Sequence, residues 1–312
     1  MNRPVVLVTG ATGFIGRNLV PLLHSGGYRV RRALRDGRAG EDDVVIGSIG
    51  PTTDWDATLG GVDTVIHLAA RVHHPNEEHA SGLYDAVNTQ GTIQLALAAA
   101  RAGVSRFVFL STILVNGSST DGRGPFKPDD AAMPRGVYGQ SKAAAEAALQ
   151  RLAAQSRMRI AVVRPPLVYG REALGNFRHL VGAIRRRIPL PLALVDNRRA
   201  FVSVQNLVSF VAHLVGFDAA PPYQIYLVAD DEQISTAAFV RRIGKAMDKP
   251  AILLPVPLSV LALVLRTIGP ELRHSLLGSM EVDTSAALST GWRPPLSMTE
   301  GLRLALGTSV SF

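Results

Sequence analysis

Two side chains that could move a proton stand four residues apart in the sequence, Tyr138 and Lys142. On a helix they would share one face. A phenol is a poor acid or base at neutral pH because its unperturbed pKa is about 10, but a neighbouring ammonium stabilises the phenolate and lowers that pKa. Tyr138 could then exchange a proton with an alcohol or carbonyl oxygen that the Thr112 hydroxyl also holds. The alternative is a packed tyrosine beside a surface lysine.

Such a proton transfer would accompany hydride movement, and the N-terminal segment predicts where a hydride carrier binds. Residues 5–9 form an apolar, β-branched run that predicts a buried parallel strand, and helical periodicity begins after Gly16. Between them, Gly10 permits a tight turn, Gly13 allows a pyrophosphate to approach the backbone, and Gly16 allows close helix packing. The free amides and the positive dipole end of the helix favour a phosphate there. A purely structural turn is the alternative.

The end of the second predicted strand, residues 28–34, bears on the choice of dinucleotide. An acidic side chain at that end would bind the adenine ribose hydroxyls and select NAD. This chain has Arg35 instead, with Arg38 close by. A guanidinium suits a 2′-phosphate, so the sequence favours NADP(H), with NAD(H) as the alternative. Arg35 could also be a solvated loop charge beside Asp36.

Strands alternate with helices along the first two thirds of the chain, which predicts an α/β fold with a doubly wound parallel sheet of the Rossmann type. A strand and turn are expected at 42–49, further strands at 62–70, 107–112, 160–166 and 223–228, and helices at 54–59, 87–101, 143–154 and 201–214. We expect a dinucleotide-binding domain from residues 1–168 with 200–228. Residues 169–199 with 229–312 are expected to form a smaller, irregular C-terminal lobe that binds substrate.

Composition excludes several kinds of site. The chain has no cysteine, so disulfides, thiolate zinc sites and a cysteine nucleophile are absent. The net charge of +8 comes from scattered arginines without interleaved aromatic residues, and nucleic acid is therefore not an expected partner. His67, inside an apolar run, is predicted to be a core residue, and no metal site is predicted from His73, His74 and His79. No signal peptide is visible, which favours the cytoplasm.

The apolar segment 250–265 raises the question of membrane association. Pro255 and Pro257 interrupt it and Arg266 ends it, so the helix after Pro257 is too short to span a bilayer. We expect a helix that faces the core or the partner of a homodimer. Peripheral contact with a membrane, as in a membrane-docked assembly subunit, is the alternative.

Several motifs follow one another in a specific order along nearly the whole chain. They are the segment 9–16, His67-Leu68-Ala69-Ala70, Asn88 before Gly91-Thr92, Ser111-Thr112, Tyr138-Gly139-Gln140-Ser141-Lys142, Arg164-Pro165 with Val168-Tyr169-Gly170, residues 199–204, and Gly291-Trp292-Arg293-Pro294 with Glu300-Gly301-Leu302. In this arrangement the chain resembles the extended short-chain dehydrogenase/reductase family, in its nucleotide-sugar epimerase/dehydratase branch.

The resemblance implies a UDP-sugar substrate bound between the lobes and assigns roles by position. The catalytic residues would be Thr112, Tyr138 and Lys142. The cofactor-binding residues would be Gly10, Thr12, Gly13, Phe14, Ile15, Gly16, Arg35, Leu68, Ala69, Ala70, Asn88, Lys142 and Pro165. The substrate-binding residues would be Thr112 and Tyr138 at the sugar, with Asn176, Arg199 and the less closely matched Arg273 at the diphosphate.

Departures from the family pattern narrow the expected reaction. Dehydratases of this branch carry Asp-Glu after the catalytic Thr, whereas this chain has Ile113 and Leu114, which cannot transfer protons. The segments 111–117, 175–177 and 197–199 resemble 4-ketoreductases that make UDP-N-acetylquinovosamine, and Arg35 fits an exchanging NADPH. We therefore expect reduction of a UDP-4-keto-6-deoxy-HexNAc at C4. A UDP-hexose 4-epimerase with tightly bound NAD is the alternative, and a non-catalytic dinucleotide sensor is a third hypothesis.

Overall fold

A computed structural model gives the fold for residues 3–37, 40–72, 80–268 and 270–307. Nine strands are found in that part of the chain: β1 Val5–Thr9, β2 Arg29–Leu34, β3 Val44–Val45, β4 Thr64–His67, β5 Arg106–Leu110, β6 Arg159–Arg164, β7 Leu167–Tyr169, β8 Phe201–Ser203 and β9 Tyr223–Leu227. Seven of them form one parallel sheet in the order β3-β2-β1-β4-β5-β6-β9. The predicted doubly wound parallel sheet is confirmed.

Helices cover both faces of this sheet. They are α1 Phe14–Ser25, α2 Asp56–Leu59, α3 Ser81–Tyr84, α4 Gly91–Arg101, α5 Gly136–Gln155, α6 Asn176–Arg185, α7 Val204–Gly216, α8 Thr236–Ala246, α9 Leu258–Ile268, α10 Pro270–Leu277, α11 Ser285–Leu288 and α12 Met298–Leu306. Successive β1 side chains point to opposite faces: Val6 and Val8 pack in the cluster of α1 and α7, and Leu7 packs in the cluster of α4 and α5. This alternation explains the continuous apolar run at the N-terminus.

A third apolar cluster lies outside the main sheet. There β7 pairs with β8, and the Phe201 ring stacks on Phe239 of α8 with centroids 3.8 Å apart. Side chains from α6, α8, α9 and α12 complete this cluster. A separate core in this part of the chain supports the division into two lobes, whose boundaries we keep as a proposal.

Several predicted boundaries were wrong. Residues 201–203 are strand β8 and not the start of a helix, because Ser203 caps α7 by accepting a hydrogen bond from the Asn206 amide at 3.1 Å. Residues 42–49 contain the expected strand and turn: the strand is the two-residue β3, and Gly47 follows it with a φ of 72°. The helix expected from 143 begins at Gly136, so Tyr138 and Lys142 both lie on α5.

The apolar segment after Pro257 forms α9, as predicted. Leu261 and Leu265 are buried in the third cluster, but Val260, Leu263 and Val264 on the same helix are exposed. One side of α9 therefore faces the core, as expected, whereas its other side is exposed in the single chain, and the expected contact with a homodimer partner stays a prediction. In the described part of the chain, no helix has both the length and the hydropathy to cross a bilayer.

Candidate active site

The glycine turn after β1 has the geometry of a phosphate cradle. Gly10 has a φ of 68°, and a Cβ on it would lie 2.7 Å from the Ala69 amide nitrogen. Gly13 caps α1 without any side-chain hydrogen bond, and it is exposed together with Thr12. The first amides of α1 therefore open onto a surface that no side chain covers, which fits the pyrophosphate of a dinucleotide. A Cβ on Gly16 would collide with the Gly10 carbonyl, so close packing fixes that residue.

His67 supports this turn from below and is a core residue, as predicted. The Thr92 hydroxyl donates to the Asn88 carbonyl at 2.7 Å, so it can only accept from Nε2 of His67, 2.9 Å away. Nδ1 of His67 then accepts from the Thr9 hydroxyl at 2.6 Å, and that hydroxyl accepts from the Ala69 amide at 3.3 Å. Complete burial lowers the pKa of His67 to about 3 and keeps the ring neutral.

Thr112 and Tyr138 are joined through the single 3₁₀ turn Ile113–Val115. Thr112, directly after β5, caps this turn by accepting from the Leu114 amide at 3.3 Å. The Leu114 carbonyl accepts from the Arg135 amide at 3.1 Å, and a Cβ on Gly139 would lie 3.2 Å from that carbonyl oxygen. The first turn of α5, which carries Tyr138, thus packs on the turn that Thr112 begins.

The pKa of Tyr138 differs from the sequence-based expectation. We expected a neighbouring ammonium to lower it, but burial raises the pKa of Tyr138 to about 12, with Tyr84 as a second contribution in the same direction. The ammonium group of Lys142, one turn further along α5, donates to the Leu110 carbonyl. The raised pKa favours the protonated phenol at neutral pH.

Lys142 is buried beneath the end of β5. Its Nζ donates to the Leu110 carbonyl at 2.8 Å and lies 4.4 Å from the centroid of the Phe109 ring. Burial lowers the pKa of Lys142 to about 7, although the Glu146 carboxylate opposes this shift. An amine with that pKa can hold or release a proton near neutral pH.

A buried polar network next to Lys142 was not predicted. Glu146, one turn after Lys142, accepts from the Ser111 hydroxyl and from Arg164, whose Nε lies 3.0 Å and 3.1 Å from the two carboxylate oxygens. The Nη1 of Arg164 donates to the Asn116 side chain at 2.8 Å. Both charged side chains are almost fully buried. The network holds α5 against the carboxyl ends of β5 and β6. In the sequence, the only sign of it is one charged residue at an inward-facing position of each partner, Glu146 on α5 and Arg164 at the end of β6.

Two expected cofactor residues have structural contacts of their own. The Asn88 side chain accepts from the Arg71 amide at 2.8 Å and donates to the Arg71 carbonyl and to the Ser141 hydroxyl, both at 3.0 Å. It thereby ties the chain after β4 to α5. The Pro165 carbonyl accepts from the Ile113 amide at 3.0 Å, next to Thr112. Leu68, Ala69 and Ala70 are half-buried where β4 ends.

The residues expected at the substrate diphosphate meet around α10. Arg199 is buried and donates to the Gly278 carbonyl at 2.7 Å and the His274 carbonyl at 3.1 Å, and burial lowers its pKa to about 10. Asn176 donates to the Ser275 hydroxyl at 2.7 Å. Arg273 lines a cavity of about 370 Å³ between α9 and α10. The structure thus brings together three residues that are far apart in sequence.

Arg35 is exposed directly after β2, and its Nε lies 3.6 Å from Oδ2 of Asp36. Arg38, His73, His74 and His79 lie outside the described residues. Within the part of the chain that the structure covers, no group of three or more His, Asp or Glu side chains is placed to hold a metal ion.

Comparison with known proteins decides the family. The model of the NAD dependent epimerase/dehydratase family matches residues 6–229, from β1 to the end of β9. The chain belongs to this family. The resemblance inferred from the motifs is therefore confirmed, and with it a nicotinamide dinucleotide as cofactor and a nucleotide-sugar enzyme as the class of protein.

Members of the epimerase/dehydratase family match the chain from end to end. UDP-glucose 4-epimerase from Vibrio cholerae is 38% identical over 306 residues, 96% of this chain and 93% of that protein. N-acetyl-alpha-D-glucosaminyl-diphospho-ditrans,octacis-undecaprenol 4-epimerase from Escherichia coli O157:H7 is 25% identical over 97% of this chain and 94% of that protein. The crystal structure of UDP-glucuronic acid 4-epimerase from Bacillus cereus in complex with NAD superposes with a TM-score of 0.78 at 20% identity, covering 97% of this chain and 96% of that one, and shows the same fold.

Proposed function

We propose that this protein is an NAD-dependent UDP-hexose 4-epimerase acting on UDP-glucose or UDP-N-acetylglucosamine. The observation that carries the proposal is the 38% identity to the Vibrio cholerae UDP-glucose 4-epimerase along 96% of the chain. Family membership alone is also compatible with a dehydratase activity. Ile113 and Leu114 carry no group that can transfer a proton, which argues against dehydration and leaves chemistry confined to C4.

The cofactor would lie along the carboxyl edge of the sheet. Gly10, Thr12, Gly13, Phe14, Ile15 and Gly16 would hold its pyrophosphate on the first amides of α1, while Leu68, Ala69, Ala70, Asn88 and Pro165 would line its path towards α5. When bound, the nicotinamide supplies a positive ring that accepts a hydride and later returns it. The chain itself supplies position and proton transfer.

Tyr138 is the proposed proton-transferring group. In the oxidative half it takes the O4 proton as the C4–H bond breaks, which gives a 4-keto sugar. In the reductive half it would return that proton to O4 as C4 is reduced from its opposite face, so the net reaction would invert C4 without net oxidation. Thr112, joined to Tyr138 through the 3₁₀ turn, would hold O4 in both halves. Because burial raises the pKa of the free phenol to about 12, a positive charge must approach before Tyr138 can act as a base.

Arg199, Asn176 and Arg273 are the proposed diphosphate ligands. A planar guanidinium presents several N–H groups, and Arg199 uses Nη1 on two carbonyls while lying beside the cavity that Arg273 lines. The burial that lowers the pKa of Arg199 also strengthens its attraction to an anion.

A 4-ketoreductase using NADPH is the second candidate, and Arg35 favours it. Its guanidinium is exposed at the end of β2, at the position where a 2′-phosphate would lie. The identity to an epimerase ranks this candidate second. Nucleotide analysis of freshly purified protein separates the two: one retained NAD per chain supports the epimerase, whereas nucleotide-free protein that oxidises NADPH with a UDP-4-keto-6-deoxy-HexNAc supports the reductase.

The direct test is the interconversion of UDP-glucose with UDP-galactose, and of UDP-N-acetylglucosamine with its C4 epimer, followed by proton NMR of the anomeric signals. Tyr138→Phe should lower kcat by about 10²-fold or more while NAD is still bound. Tyr28→Phe is the matched control and should keep the wild-type rate. Absence of interconversion in the wild type, or normal turnover by Tyr138→Phe, would refute the proposal. Turnover with either sugar also excludes a non-catalytic sensor.

A further inference from the structure

Helix α9 has an exposed apolar face, which we call the α9 face. It consists of Leu258, Val260, Leu263 and Val264 on the helix, together with Ile252 and Leu254 in the segment that precedes it. Leu263 is the most exposed of these, at 66%. A helix that is apolar on all sides is normally buried, and contiguous exposed apolar patches mark contact sites.

A neighbouring segment extends this face. The Leu190 amide donates to the Ile252 carbonyl at 2.9 Å, and the Leu254 amide donates to the Leu190 carbonyl at 2.8 Å. Ile188 and Leu194, on either side of this contact, are exposed as well. Backbone hydrogen bonds therefore hold segment 188–194, with its exposed Ile188 and Leu194, beside the segment that precedes α9.

The charges around the α9 face are mostly basic. Residues 173–195 and 249–268 contain no Asp or Glu, and Asp196 and Asp248 lie directly next to these segments. They do contain exposed Arg185, Arg186 and Arg187 directly before Ile188, Lys249 before the apolar stretch, and Arg266 within the last turn of α9. An apolar strip bordered mainly by basic residues is complementary to an anionic lipid surface.

The same charges argue against a second copy of the chain as the occupant. A two-fold interface would place each α9 face against its equivalent. The basic residues that border the face would then be present on both sides of the contact, with few carboxylates to pair with them. With eleven residues, α9 is about 16 Å long and can lie in the headgroup plane without spanning the bilayer.

We propose that the C-terminal lobe docks on an anionic membrane surface, with Val260, Leu263 and Val264 inserted at the headgroup boundary and Arg185, Arg186 and Arg187 on the lipid phosphates. Leu258 and Ala262 of α9 also line the cavity that contains Arg273. Docking therefore places the helix that lines this cavity at the membrane surface. This proposal does not depend on the reaction catalysed.

Flotation of the full-length protein with vesicles tests the proposal. The probes are vesicles of phosphatidylcholine alone and vesicles with 30 mol% phosphatidylglycerol. Val264→Glu is the test variant, and Val45→Glu is its control, because Val45 is the same residue type with 47% exposure against 48% and lies on β3 at the far edge of the sheet. Thermal melting of each variant confirms that it is folded.

We expect the wild type and Val45→Glu to float with the anionic vesicles, and we expect binding of Val264→Glu to fall by about tenfold or more, since a charge replaces an inserted side chain. The triple variant Arg185→Gln, Arg186→Gln, Arg187→Gln should lose the preference for phosphatidylglycerol by about tenfold or more. Failure of the wild type to float, or equal flotation of Val264→Glu, would overturn the proposal. A dimer that Val264→Glu converts to a monomer, without lipid binding by the wild type, would also overturn it and assign the face to a second copy.

Discussion

Replacing Arg164 by methionine is expected to destabilise the protein by about 3–5 kcal/mol, because it leaves a buried charge without its partner. Glu146 accepts three hydrogen bonds from Arg164 and one from the Ser111 hydroxyl, so the variant retains one donor for a carboxylate that is only 5% exposed. The Asn116 side chain also loses its contact with Nη1. Methionine keeps most of the side-chain volume, so the loss reports on charge and not on a cavity.

Urea unfolding followed by circular dichroism measures this effect. A loss of that size should lower the urea midpoint by about 1–2 M. Arg242→Met is the matched control, because Arg242 makes a similar two-pronged ion pair with Glu232, at 2.8 Å and 2.6 Å, near the surface. For this half-exposed pair the expected loss is below about 1 kcal/mol.

A double-mutant cycle shows whether the buried charge is the cause. The combined variant Glu146→Gln, Arg164→Met should be more stable than Arg164→Met alone, because it removes the uncompensated carboxylate. The reasoning is refuted if Arg164→Met costs no more than Arg242→Met, or if adding Glu146→Gln lowers stability further by the full amount of the single change.

Three further outcomes are expected. The folded state holds the pKa of His67 at about 3, below its unfolded value, so the unfolded chain takes up a proton first as the pH falls. The free energy of unfolding should therefore decrease by about 2 kcal/mol between pH 8 and pH 5. In thermal melts, His67→Gln should remove this contribution to the pH dependence. Gly10→Ala should cost more stability and NAD affinity than Gly27→Ala, since both residues have positive φ but only at Gly10 would a Cβ collide with backbone; equal losses in urea unfolding would contradict this. Ser297→Ala should cost about 1 kcal/mol, because it removes the capping box of α12, and an unchanged melting temperature would argue against that role.

The sequence predicts the parts of the fold that depend on local pattern. The apolar run of β1, the glycine spacing and the periodicity of α1 each follow from rules that act over a few residues, and the structure contains all three. The position of Tyr138 and Lys142 on one helix also followed from their spacing, although α5 begins seven residues earlier than expected.

Features that depend on tertiary contacts could not be predicted from the sequence. Strand β8 exists because it pairs with β7, more than thirty residues earlier, and its short apolar run fits a helix equally well in isolation. The pKa of Tyr138 rises because packing removes water from the phenol, whereas spacing to Lys142 suggested the opposite shift. The outer face of α9 could not be distinguished from a core face by composition, since both are made of leucine and valine.

The hydrogen bonds around His67 run in one direction only, from the Ala69 amide through Thr9, the imidazole and Thr92 to the Asn88 carbonyl. Each hydroxyl has a single proton, and each is committed to one neighbour, so the ring cannot flip or change tautomer without breaking two bonds at once. The residues that support the glycine turn are thus held in one arrangement without a ligand. The conformational entropy of this region is therefore lost during folding and not when a dinucleotide binds.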